Sequence, residues 1–124
     1  MNLLSSIEHT YLDSGRELSK FHPLTAETLR QQNYAYQGTG GVSAGNQSYG
    51  FVPAFLDRET GVVHRACYAD GQPAPVHLLE GLPAEWVVSR DASGKCIGIK
   101  HSVIAGFMRD GIFYTREQAA RCVM

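Results

Sequence analysis

A chain of 124 residues with 44% apolar and 19% charged side chains is long enough to bury roughly two thirds of its unfolded surface around one core. It is far from the apolar-poor composition that leaves a chain disordered. Eleven Lys and Arg against twelve Asp and Glu give a formal charge of -1, and the basic residues stand singly, so general nucleic-acid binding through phosphate neutralisation is not expected.

Residues 1–11 contain no Lys or Arg and no sustained apolar run, unlike a signal peptide. No stretch approaches the roughly 20 apolar residues that cross a bilayer, so a cytoplasmic protein without a membrane partner is expected. Cys67, Cys96 and Cys122 are odd in number and lack CxxC spacing, which suits reduced thiols better than a disulfide framework.

In chain order, Leu3, Leu4, Ile7 and Tyr11 recur at helical spacing and stop at Asp13, Ser14 and Gly15, which predicts a short first helix. Pro23 precedes a second helix with Thr25 as N-cap and Leu24 placed to staple onto Leu29, running to about Tyr34. Residues 37–50 hold five glycines among Ser, Thr, Asn and Gln and read as a loop. That loop separates a helical front, residues 1–36, from a strand-rich part, residues 51–124, within one domain, because 36 residues are too few to hold a core of their own.

Residues 51–56 and 62–68 predict a hairpin closed at Gly61, and residues 85–90 with 95–103 predict a second across Asp91, Ala92, Ser93 and Gly94. These two hairpins are expected to form the sheet. Residues 76–82 between them could make one helical turn. Asp110 and Gly111 have the preference of a two-residue turn, returning residues 112–114 as a fifth strand, although Ser102 could equally cap a short helix over residues 103–109. Thr115 with Gln118 three residues on is a capping box, so the chain is predicted to close in a helix. The expected class is α+β: an antiparallel sheet of four or five strands with N-terminal helices and a short C-terminal helix on one face. The sheet's second face must then curl on itself, meet solvent or meet a second copy of the chain, and the last option motivates the expectation of a homodimer.

No constellation of side chains reaches a chemical signature. Gly41, Val42, Ser43, Ala44 and Gly45 match the G-x-S-x-G letters of a nucleophile elbow, but that elbow needs a strand before the serine and a helix after it in a large sheet. The same loop lacks the G-K-[ST] ending of a phosphate cradle and follows a helix where the nucleotide motifs follow a strand. His64 and Cys67 are the closest mixed pair of metal-ligand types, yet side chains three apart on a strand point to opposite faces. No metal and no cofactor are expected.

Alternation from Cys96 places Ile97, Ile99, His101 and Val103 on one face. An imidazole there would be a hydrogen-bonded core group, the polar anchor of a pocket, or a general base. Tyr49, Phe51, Phe55, Tyr68 and Trp86 with His101 form the candidate ligand-binding set, since aromatic side chains around a few polar groups line small-molecule pockets.

The closing run Val103, Ile104, Ala105, Gly106, Phe107, Met108, Arg109, Asp110 and Gly111, with Phe113, Tyr114, Thr115, Arg116 and Glu117, resembles small bacterial proteins of accessory or mobile-element type. Those proteins have no assigned activity, so the resemblance implies a bacterial origin and gives no residue a role. Two functions fit these residues. The first is a noncatalytic small-molecule-binding or protein-interaction domain with residues 37–50 as a lid. The second is a small enzyme in which His101, with Tyr68 or a carboxylate brought in by the fold, transfers protons.

Overall fold

The computed structural model describes residues 24–123; the helix predicted over residues 3–11 lies outside them. Helix α1, Ala26–Ala35, starts where its caps require. Thr25 Oγ1 accepts from the Thr28 amide at 3.0 Å, and Thr28 Oγ1 accepts from the Thr25 amide at 2.8 Å, so two of the four orphan donors of the first turn are satisfied reciprocally. Leu24 and Leu29 are both buried at this end of the helix.

Residues 37–50 are more ordered than a loop of that composition suggests. They hold a single-turn helix, α2, Ser43–Asn46, followed by a 3-10 turn, Gln47–Tyr49. Asn46 is fully buried and donates through Nδ2 to the Gly40 carbonyl at 2.7 Å. Gly45 packs so closely that a Cβ there would lie 2.2 Å from the Thr39 carbonyl oxygen. The small residues are therefore needed for close backbone packing.

Strands β1, Val52–Asp57, and β2, Val63–Arg65, form the first predicted hairpin. After it the chain runs through turns to a 3-10 turn, Ala84–Trp86, and then strands β3, Val87–Arg90, and β4, Cys96–Ile99. Residues 76–82 carry no helix. Strand β5, Val103–Arg109, pairs antiparallel with β1 from Val52↔Met108 to Asp57↔Val103, and β6, Ile112–Thr115, pairs with its other edge. The order is β2-β1-β5-β6. Residues 103–109 are thus a strand, whose edges are both taken. The turn after it uses Asp110 at φ 55° and Gly111 at φ 79°, the left-handed pair that a two-residue hairpin of matching twist demands. Thr115 and Gln118 close the capping box of helix α3, Arg116–Val123.

The architecture is α+β with an antiparallel four-stranded sheet, as the patterning predicts, with one correction. The second hairpin does not join the sheet: β3 and β4 form a separate two-stranded ribbon. The reason lies at residues 100–102, where a turn closed by the Val103 amide on the Lys100 carbonyl at 3.1 Å divides the long predicted strand into β4 and β5. The far edge of β4 is used by the Leu24–Thr25 entry to α1, through the Ile99 amide to the Leu24 carbonyl at 2.9 Å and a bridge from Thr25 to Gly98.

Lys100 is held in that turn by Asp57, whose carboxylate meets its Nζ at 2.7 Å and also accepts from the Glu59 amide and the Thr60 hydroxyl. Burial pushes the Asp57 carboxyl up, but Lys100, Ser102, the Glu59 amide and Thr60 outweigh it and hold its pKa at about 2.

One face of the sheet carries Phe51, Phe55, Val103, Ala105 and Phe107. The larger core joins Phe55, Val103 and Ala105 to Leu24, Leu29, Leu79, Leu82, Trp86, Cys96 and Ile99. A smaller core sets Phe51 and Phe107 against Ala119 of α3, with Tyr114 and Val123 at its margin. Residues 77–79 cross between the two cores, with the His77 ring between Phe55 of the larger and Phe107 of the smaller.

Candidate functional site

Arg116 opens α3 and is 4% exposed. Its position follows from the capping box: Thr115 ends the sheet, so the first helical residue starts directly over the sheet face. No carboxylate meets its guanidinium among the described residues; its acceptors are neutral. Nε donates to Gln32 Oε1 at 3.2 Å, Nη1 to the Gly41 carbonyl at 2.9 Å, and Nη2 to Asn33 Oδ1 at 2.8 Å. Nη2 also lies 3.3 Å from His77 Nδ1. Burial lowers the guanidinium pKa to about 10, against an opposing contribution from the Tyr36 phenol, so the group remains a cation at neutral pH.

His77 completes the cluster. Its Nε2 lies 2.7 Å from the Gly106 carbonyl and so carries the proton, which leaves Nδ1 as the acceptor facing Arg116. Phe55 and Phe107 pack edge-on to the ring, with centroids at 5.2 and 5.1 Å. Burial first, and then the Arg116 charge, lower its pKa to about 3, against backbone contacts to Gly106 and Ala54 that raise it. The imidazole is therefore neutral, and both its nitrogens are engaged.

Above this cluster a cleft of about 390 Å³ opens between α1, α2 and residues 76–77, within the size range of small-molecule sites. Asn33, Gln37, Ser43 and His77 supply its polar lining, and Tyr34, Val42, Ala44 and Val76 its apolar lining. Tyr34 and Val76 are 79% and 49% exposed. Asn33 and His77 belong to both the cleft and the buried cluster, so the Arg116 cation sits one hydrogen bond behind the cleft surface.

None of the six residues proposed from the sequence lines this cleft. Phe51 is in the smaller core, beneath the Arg109 guanidinium at 4.3 Å, while Phe55 and Trp86 are in the larger one. Tyr49 and Tyr68 are exposed on separate segments. His101 is exposed in the turn between β4 and β5. The premise of an imidazole on an apolar face therefore fails: the turn ends the alternation before it reaches His101, and within β4 Cys96, Gly98 and Ile99 are buried while Ile97 is exposed. Ser43 lines the cleft but opens a single helical turn with no strand before it, so the elbow geometry is absent. The ring of His64 packs against Trp86 at 6.0 Å. Among the described residues no three His, Cys, Asp or Glu side chains gather around one point.

The sequence reading missed Arg116, Gln32 and Asn33, and placed His77 only in a connector. The capping box was the available signal, since it fixes Arg116 on the first turn of α3; nothing in one dimension shows that this turn faces the end of α1. Among the described residues no helix is long and apolar enough to cross a membrane. No family model, curated protein or solved structure matches the chain.

Proposed function

We propose that the chain is a noncatalytic binding domain and that the cleft between α1, α2 and residues 76–77 is its site. The observation that carries this reading is the buried cluster beneath it. Arg116 draws Gln32 and Asn33 of α1, the Gly41 carbonyl and His77 onto one group, so the cleft floor is fixed before any ligand arrives, which lowers the entropic cost of binding. Residues 37–50, expected as a lid, serve here as a wall, held by Asn46 and by the bond from Arg116 to Gly41. Proton transfer is the weaker reading. Of the two titratable side chains in the lining, Tyr34 stands 79% exposed at its edge and His77 is neutral with both nitrogens occupied, and His101 is not part of the cleft.

A thermal-shift screen against small metabolites and short peptides tests this, run on the native protein and on Ala44→Phe, which fills the cleft from an exposed position. A ligand at 100 times its dissociation constant adds about 2.7 kcal/mol. Stabilising compounds are expected, and the variant should lose them; compounds that stabilise both proteins equally would place binding elsewhere.

The same proposal keeps a cytoplasmic setting in a bacterium, as the closing run suggests, and a homodimer. Val88 and Ile97, 63% and 36% exposed on the β3-β4 ribbon, give a second copy apolar surface to meet. Sedimentation equilibrium is expected to give twice the 13.6 kDa chain mass, and a monomer throughout the micromolar range would reject the dimer.

A further inference from the structure

We infer that the group this cleft recognises is a carboxylate carried next to an apolar moiety, on a small molecule or at the free C-terminus of a peptide; this rests on the cleft being the binding site. Arg116 is a buried cation without a carboxylate partner among the described residues, and the residues lining the cleft carry no acidic side chain. A unit positive charge in this position favours an anion over a cation in the cleft, because buried charges are screened far less than those in open solvent.

The polar lining suits the same ligand. Ser43 can donate a hydroxyl hydrogen, and the side-chain amides of Asn33 and Gln37 can each donate N–H bonds. Asn33 is oriented for this: its Oδ1 accepts from Arg116 at 2.8 Å, so its oxygen faces inward and its NH₂ is the end left for a ligand. Arg116 thereby acts through Asn33, polarising the amide that would donate to the carboxylate. Val42, Ala44, Val76 and the exposed ring of Tyr34 provide the apolar contact beside those donors.

The test is isothermal titration calorimetry at low salt with benzoate, benzamide and benzylamine, which share a ring and differ in charge. The peptide Ala-Ala-Ala-Val is titrated as the free acid and as the C-terminal amide. Benzoate is expected to bind roughly tenfold more tightly than benzamide and more tightly still than benzylamine, and most of the margin should survive in 0.5 M salt because the Arg116 charge is buried. The peptide acid should beat its amide by a similar factor, and whichever of benzoate and the peptide acid binds more tightly identifies the source of the carboxylate. Ala44→Phe should abolish all binding. Benzamide binding as tightly as benzoate, with loss in Ala44→Phe, would overturn the carboxylate inference while leaving the cleft as a binding site. No binding by any probe, or binding unchanged in Ala44→Phe, would overturn both.

Discussion

Arg116→Met is expected to cost roughly 3 kcal/mol of stability, since a buried polar group left unsatisfied costs about 1 to 3 kcal/mol. The substitution strands the buried Gly41 carbonyl and His77 Nδ1, and takes a partner from Gln32 Oε1 and Asn33 Oδ1, which are only part-buried. Methionine fills much of the space and removes the cost of burying a charge, which keeps the net loss below the simple sum. At about 4 °C per kcal/mol for a domain of this size, the melting temperature should fall by about 12 °C. Arg116→Lys should recover only part of the loss, because an ammonium lacks the planar fork that reaches several segments at once. Denaturant unfolding of the three proteins checks this, and a loss under 1 kcal/mol for the methionine variant would show that the cluster does not hold the ends of α1 and α3 together.

The second large effect is on pH. His77 has a native pKa of about 3 against an ordinary 6.5, so between these values the unfolded chain binds a proton that the native protein does not. The stabilisation is therefore whole above pH 6.5 and is lost as the pH falls towards 3, at up to about 1.4 kcal/mol per pH unit. Asp57, at about 2 against 3.8, has the same sign over a lower window, losing its contribution as the pH falls through about 2. His77→Gln keeps an amide donor and acceptor near Gly106 and Arg116 but has nothing to titrate. It should be less stable than the native protein at pH 7, yet its stability should fall less steeply between pH 6.5 and 4, by about one proton's worth of slope. Equal slopes for the two proteins would show that His77 is not the group taken up.

How much of this could be read from the sequence follows from the range of each interaction. Local signals transferred well: the Thr25 cap of α1, the β1-β2 hairpin, the Asp110-Gly111 turn and the Thr115-Gln118 box depend on residues within a few positions of one another. The division of β4 from β5 did not transfer, because the turn at residues 100–102 is held by Asp57, more than forty positions earlier. The site was less legible still. His101 followed from continuing a two-residue alternation across a turn that a one-dimensional pattern does not show. Arg116 meets Asn33 and Gln32 across 83 and 84 positions and His77 across 39. Such a cluster has no spacing motif, since its partners come from three separate segments, α1, residues 37–50 and the connector at His77, and are brought together by packing. The aromatic candidates failed to assemble for the complementary reason: Phe51, Phe55 and Trp86 are spent on the two cores, as large apolar side chains usually are.

The central claim is that the cleft above Arg116 and His77 is where this domain binds. The most direct test is a two-dimensional ¹⁵N correlation spectrum of the labelled protein titrated with a mixed panel of small acids, amides, amines and short peptides. The expected first responders are the side-chain amides of Asn33 and Gln37 and the backbone amides of Ser43 and Ala44, saturating together with one compound class. Responses confined to the β3-β4 ribbon around Val88 and Ile97, to the β6 edge at Ile112, or to no residue at all would contradict it.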